Sequence, residues 1–254
     1  MLHVTVWGRG EPAVFAHGSM GWGESTWAEQ RSLAEDYRLL LVDRRGFGES
    51  PGPDAGDWEA DAEDIAALLS DRPHLVGQSY GGVSSLLAAA RTPESIRSLT
   101  VIEPPALGLA RGDATVEEFI RRITNAKAEA VDPDDYRRRF YASFGFKPPE
   151  GALATEHELR AAASSWRERP PWEAEIPLDT LRAAGFPTLV VRGAWDNAPA
   201  EAREIGMRSL HRVCDVLVES LGADSVTFPG AAHNPQSLGA PFNERLREFW
   251  RSAG

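Results

Sequence analysis

The stretch HLVGQSYGGVSS, residues 74–85, sets an apolar run directly against a serine hemmed in by glycines. Gly77, Gly81 and Gly82 crowd around Ser79, although glycine weakens strands and helices alike, so a local steric reason is needed. A strand arriving over His74–Val76, a turn at Gly77-Gln78-Ser79-Tyr80-Gly81 and an alanine-rich helix leaving over Tyr80–Arg91 supply it. A turn that sharp strains the serine backbone, and the residues two before and two after it must be small or strand and helix collide. Gly82 then lets the helix lie close to the sheet. Strand, G-x-S-x-G and helix together are the setting of a nucleophile elbow, which makes Ser79 the candidate nucleophile.

Working outward, short β-branched or leucine-rich runs alternate with longer amphipathic ones, the rhythm of a mostly parallel central sheet with helices on both faces. Strands are expected at Ala13–Ala16, Arg38–Val42, His74–Val76, Ser98–Ile102, Thr188–Val191 and Ser225–Phe228, with a weaker edge strand at Leu2–Trp7. Most are apolar on both faces, as buried parallel strands must be. Helices are expected at Ser25–Asp36, Trp58–Ser70, Met207–Leu221 and Ala240–Arg251. From 104 to 186 the rhythm breaks: helical signals run over Thr115–Val131, Asp132–Ser143 and Thr155–Arg167, with no convincing strand. Asp132-Pro133 is an N-cap followed by proline at the first helical position, and Thr155 and Glu158 have capping-box spacing. The chain therefore divides into a core of residues 1–103 and 187–254 and a helical cap, 104–186, inserted between two strands on the ligand side. The cap is rich in aromatics (Phe119, Tyr136, Phe140, Tyr141, Phe144, Phe146, Trp166 and Trp172), which can either pack it onto the body or line an apolar pocket.

Composition narrows the partners. The 254 residues are 42% hydrophobic and 26% charged, a globular balance, with a formal net charge of −11. That charge argues against nucleic acid and anionic membranes and for a small-molecule substrate. Cys214 is the only cysteine, so no internal disulfide or multi-cysteine metal site can form, and a reducing, cytoplasmic setting is expected. The opening MLHVTVWGRGEP lacks a basic region followed by an apolar one, and no run approaches the ~18 apolar residues of a membrane span.

Several ordered motifs resemble the α/β-hydrolase family. VFAHGSMGWGESTW, residues 14–27, resembles the family's HG oxyanion loop; LLLVDRRGFGES, 39–50, its D-x-R-G-x-G-x-S turn; PTLVVRGAWDNAP, 187–199, its acid loop; and the segment from FPGAAHNPQ, 228–236, to the end its histidine loop and final helix. The resemblance covers nearly the whole chain and implies a Ser-His-Asp/Glu triad. A serine hydroxyl needs a base within hydrogen-bond reach and a third group to orient that base. His3, His17 and His74 precede the serine, whereas the family runs serine, acid, histidine; His157 and His211 fall in expected helices. His233, after the last strand, is the expected base. For the acid, Asp196 occupies the family's usual position and is favoured, with Glu103 at the end of Ser98–Ile102 as the alternative.

The resemblance further implies an oxyanion hole made by the backbone N–H groups of Tyr80 and Ser19, with Met20 as fallback for the second donor. Met20 and Trp22 are expected to line the substrate pocket, His17 to be structural, and Asp43, Arg44 and Arg45 to hold their turn. Serine at the nucleophile position speaks against the family's aspartate-dependent dehalogenases and epoxide hydrolases. The expected activity is hydrolysis of a carboxylic ester or lactone of a mostly apolar molecule. Alternatives within the family are a small-molecule receptor, a C–C bond hydrolase, a thioesterase and a cofactor-free peroxidase. No metal, nucleotide or flavin motif is visible, so no cofactor is expected.

Overall fold

The computed structural model describes residues 2–52, 56–147 and 154–253. Seven strands form one sheet: β1 (Val4–Trp7), β2 (Glu11–Ala16), β3 (Tyr37–Val42), β4 (His74–Gln78), β5 (Ser98–Ile102), β6 (Thr188–Gly193) and β7 (Asp224–Phe228), in the spatial order β1-β3-β2-β4-β5-β6-β7. Only β1 runs antiparallel, pairing Val4 with Val42 and Trp7 with Leu39 at the edge. The remaining strands are parallel, so their carboxyl ends share one edge of the sheet.

Side-chain alternation divides the core between the two faces. Val14, Leu75, Leu99, Val101 and Val190 join the cluster beneath the helices Trp58–Ala66, Tyr80–Arg91 and Arg208–Leu221. Ala13, Phe15, Val76, Ile102, Leu189 and Val191 join the opposite cluster, closed by Trp27, Leu33, Phe249 and Trp250. The central strands β4 and β5 are thus buried on both faces because both faces are covered, whereas the edge strands β1 and β7 are only partly so.

The stretch expected to be a helix over Ser25–Asp36 is a single turn, Gly23–Thr26, followed by a 3₁₀ helix over Ala28–Glu35. Trp27, Gln30 and Leu33, spaced by three, are all fully buried. Three residues per turn stacks them in one line, where the α period would fan them over about 120°. The helix from Trp58 closes at Ala66, four residues short of expectation. Between β5 and β6 the described residues hold no strand; the main helices there are Ala114–Glu129, Pro133–Ser143, Glu156–Trp166 and Leu178–Ala184. Asp132 caps its helix by accepting from Asp135 N–H, and Thr155 with Glu158 closes the capping box read from the sequence. No helix among the described residues is long and apolar enough to cross a membrane.

Candidate active site

The carboxyl ends of five strands, β2, β4, β5, β6 and β7, build the site. β4 delivers Ser79 in a left-handed conformation, φ 51° and ψ −123°, fixed by its N–H donating to Ile102 O at 2.9 Å and its carbonyl accepting from Gly82 N–H at 2.8 Å. The flanking glycines are steric necessities: a Cβ on Gly77 would stand 2.6 Å from Gly81 O and 2.8 Å from Gly82 Cα, and one on Gly81 2.5 Å from Ala16 O. Such contacts cannot be relieved by a rotamer change, because backbone atoms make them.

The loop after β7 brings His233 to the serine, Nε2 lying 3.0 Å from Ser79 Oγ. Its Nδ1 lies 2.8 Å from Glu103 Oε2. The structure therefore sets Glu103, and not the favoured Asp196, against the histidine. Trp195 explains the difference: it adopts φ 56° and donates its indole N–H to Glu103 Oε1 at 2.9 Å, and the chain leaves with Asp196 exposed, accepting only Gly230 N–H at 3.2 Å. Glu103, fully buried just past β5 with φ 40°, also accepts Gly193 N–H at 2.9 Å. Burial alone would raise the Glu103 pKa, but hydrogen bonds from His211, His233 and Trp195 outweigh it and hold the carboxyl at about 2. It is thus an anion facing Nδ1, which assigns the Nδ1 proton to His233 and leaves Nε2 free to accept from the serine.

The loop after β2, His17 to Met20, runs beside Ser79, with Gly18 so close that a Cβ there would stand 2.7 Å from Ser79 Cβ. His17 Nδ1 donates to Gly18 O at 2.7 Å and Nε2 accepts Arg44 N–H at 3.0 Å. Burial, then the Arg44 charge, holds His17 well below the usual histidine range, so it is a neutral loop brace. Asp43 ties its turn by accepting Gly23 N–H at 2.7 Å and Glu49 N–H at 3.0 Å, and Arg45 pairs with Asp64 through two bonds, the longer 2.9 Å. Among the described residues, neither Ser19 nor Tyr80 has a protein partner for its backbone N–H.

A cavity of about 260 Å³ opens beside Ser79, Ser19 and Tyr80, walled by Pro105, Ile123, Tyr136, Phe140, Phe144 and Trp172. A second, about 660 Å³, lies on the His233 side, with Phe140 and Phe144 shared between the two. Met20 and Trp22, expected in the pocket, line neither: Met20 N–H is held by Ser165 Oγ at 2.9 Å, and Trp22 packs edge-on against His157. Of the cap aromatics, Phe119 is fully buried as packing and Trp166 donates to Lys127 O. The site also contains a residue the sequence did not single out, Glu168, which reaches from just after the helix Glu156–Trp166 into the loop around Ser19. Nothing local to it signals that contact, 149 residues away. Among the described residues no group of three or more His, Cys, Asp or Glu is placed to hold a metal ion.

Comparison with known proteins agrees with this architecture. The alpha/beta hydrolase family model matches residues 13–245, and the chain belongs to that family. It is 36% identical over 115 residues to the pimeloyl-[acyl-carrier protein] methyl ester esterase of Aeromonas salmonicida, a match spanning 44% of this chain but only 45% of that one. It is 29% identical over 206 residues to serine hydrolase BPHL of Mus musculus, covering 77% of this chain and 67% of that protein. In fold it is similar to the esterase EaEST from Exiguobacterium antarcticum, with a TM-score of 0.71 and 23% identity over 98% of this chain and 95% of the other.

Proposed function

We propose that the protein hydrolyses a carboxylic ester or lactone of a small, mostly apolar molecule through an acyl-serine intermediate. The observation that carries this reading is the relay Ser79 Oγ to His233 Nε2 at 3.0 Å and His233 Nδ1 to Glu103 at 2.8 Å, set beside two unengaged backbone N–H groups. In the proposed reaction His233 takes the Ser79 proton as Oγ bonds to the substrate carbonyl carbon. The Ser19 and Tyr80 N–H groups receive the oxyanion, and Glu103 balances the imidazolium. Collapse of the tetrahedral adduct breaks the bond to the alcohol, which leaves with the proton from His233. Water, activated by the same histidine, then frees the acid and restores Ser79.

The smaller cavity, mostly apolar but with Lys127, Glu168 and Arg169 among its lining residues, suits an apolar acyl group. The names of the two curated relatives, an esterase and a serine hydrolase, support the same class. The test is a panel of p-nitrophenyl esters of increasing acyl length and of simple lactones, run beside Ser79→Ala. Multiple turnover that Ser79→Ala abolishes is the expected result. Wild-type protein no faster than Ser79→Ala on every substrate would displace hydrolysis in favour of a ligand-receptor role.

A further inference from the structure

Glu168 lies just beyond the cap helix Glu156–Trp166 and is 6% exposed; Lys127 of the helix Ala114–Glu129 donates to its backbone carbonyl, and among the described residues its carboxylate is paired with Arg44 of the core. Its two carboxylate oxygens point into the core. Oε1 accepts from Arg44 Nη2 at 2.6 Å, and Oε2 accepts from the Ser19 hydroxyl at 2.5 Å. Arg44, 1% exposed, spends its remaining donors on the same loop: Nε on His17 O at 2.9 Å and Nη2 also on Gly18 O at 3.1 Å, while Nη1 pairs with Asp61 at 2.7 Å. A second cap residue, Ser165, accepts Met20 N–H at 2.9 Å.

The consequence for the oxyanion loop follows from peptide planarity. In a trans peptide the C=O of one residue and the N–H of the next point in opposite directions. Gly18 C=O is pinned toward His17 Nδ1 and Arg44, so the Ser19 N–H is turned away from Arg44, and among the described residues it has no protein acceptor. The Ser19 hydroxyl, donated to Glu168, locks the other end of that unit. Removing the carboxylate would free the hydroxyl, leave Arg44 with one counter-charge, and loosen both restraints at once.

We propose that Glu168 is a positioning residue for the oxyanion hole, acting through Arg44 and the Ser19 hydroxyl, so that the Ser19 donor is aimed only while the cap is seated. This rests on the serine-hydrolase reading above. The closing of the cap and the completion of the catalytic site are then one event: lifting the segment 165–168 would break the contacts at Ser19, Met20 and Arg44 together.

The experiment compares wild type, Glu168→Gln, Ser19→Ala and the double variant, with rates normalised to sites titrated by a fluorophosphonate so that unfolded protein is not counted. Glu168→Gln should lower kcat about 10- to 100-fold, the range expected when a reacting geometry is displaced by up to about 1 Å, with KM within about threefold. Affinity for phenylboronic acid, which forms a tetrahedral adduct on the serine, should fall by a similar factor. Ser19→Ala, which leaves the Arg44–Glu168–Asp61 cluster whole, should shift kcat and boronate affinity the same way and carries the test if Glu168→Gln does not fold. The double variant should be no worse than the worse single one. Unchanged kcat per titrated site, or a KM effect with unmoved boronate affinity, overturns the inference while leaving the hydrolase reading intact. A wild type that neither turns over esters nor labels at Ser79 overturns both.

Discussion

Replacing Glu103 by glutamine should cost far more activity than replacing Asp196 by asparagine. Glu103 Oε1 receives two fixed N–H donors, Gly193 and the Trp195 indole, both at 2.9 Å. In Glu103→Gln the amide oxygen must therefore take that position, and the amide nitrogen replaces Oε2, 2.8 Å from His233 Nδ1. A donor then faces a donor. The imidazole escapes by moving its proton to Nε2, where it can no longer accept from Ser79. Loss of the right tautomer in a triad of this kind costs about 10⁴ in kcat, or about 5.4 kcal/mol of transition-state stabilisation. Asp196→Asn removes the charge from one long, exposed bond to Gly230 N–H but keeps an acceptor oxygen, a change worth at most about 1 kcal/mol, so kcat should change less than about fivefold. Steady-state kcat on p-nitrophenyl butyrate, normalised by active-site titration, reads both. Asp196→Asn losing more than Glu103→Gln, or Glu103→Gln staying within tenfold of wild type, would refute the reasoning.

Three further outcomes follow from the same geometry. Glu103 is held at about 2 in the folded protein against an ordinary value of 4.5, so its contribution to stability is fully present above about pH 4.5 and is lost as pH falls toward 2; chemical denaturation from pH 6 to pH 3 should show a shallower acid loss in Glu103→Gln. Arg44→Met strands the buried carboxylates of Asp61 and Glu168, and should cost about 3–5 kcal/mol, or roughly 6–20 °C in Tm by calorimetry. A loss under 1 kcal/mol would count against a buried ion cluster. Ser79 holds φ 51° and ψ −123°, a conformation glycine adopts without strain, so Ser79→Gly should melt higher than Ser79→Ala by about 1 kcal/mol equivalent, with both inactive.

The elbow and the sheet were readable because their signals are local. Val76-Gly77-Gln78-Ser79 needs no distant residue to state that a strand ends in a turn too tight for side chains at 77 and 81. The strand positions followed from apolar runs that only a doubly covered sheet tolerates, and the starts of the helices Pro133–Ser143 and Glu156–Trp166 from the capping residues Asp132 and Thr155. What escaped the sequence depends on contacts between distant segments. The spacing of Trp27, Gln30 and Leu33 selected a 3₁₀ helix, and only their burial against the final helix shows that period to be in force. The choice between Glu103 and Asp196 turned on the left-handed backbone of Trp195, which swings one carboxylate out and uses the indole to hold the other. Glu168 carries no motif at all, since its meaning lies in Arg44 and Ser19.

The most direct test of the central claim is to catch the acyl group on the enzyme. Wild-type protein quenched in acid during turnover of a slowly hydrolysed ester, then digested and read by mass spectrometry, should carry the acyl mass on the peptide containing Ser79, and His233→Ala should carry none at the same time point. Turnover by the wild type with no acyl mass at Ser79, under conditions where product is still accumulating, would contradict a serine nucleophile and with it the mechanism.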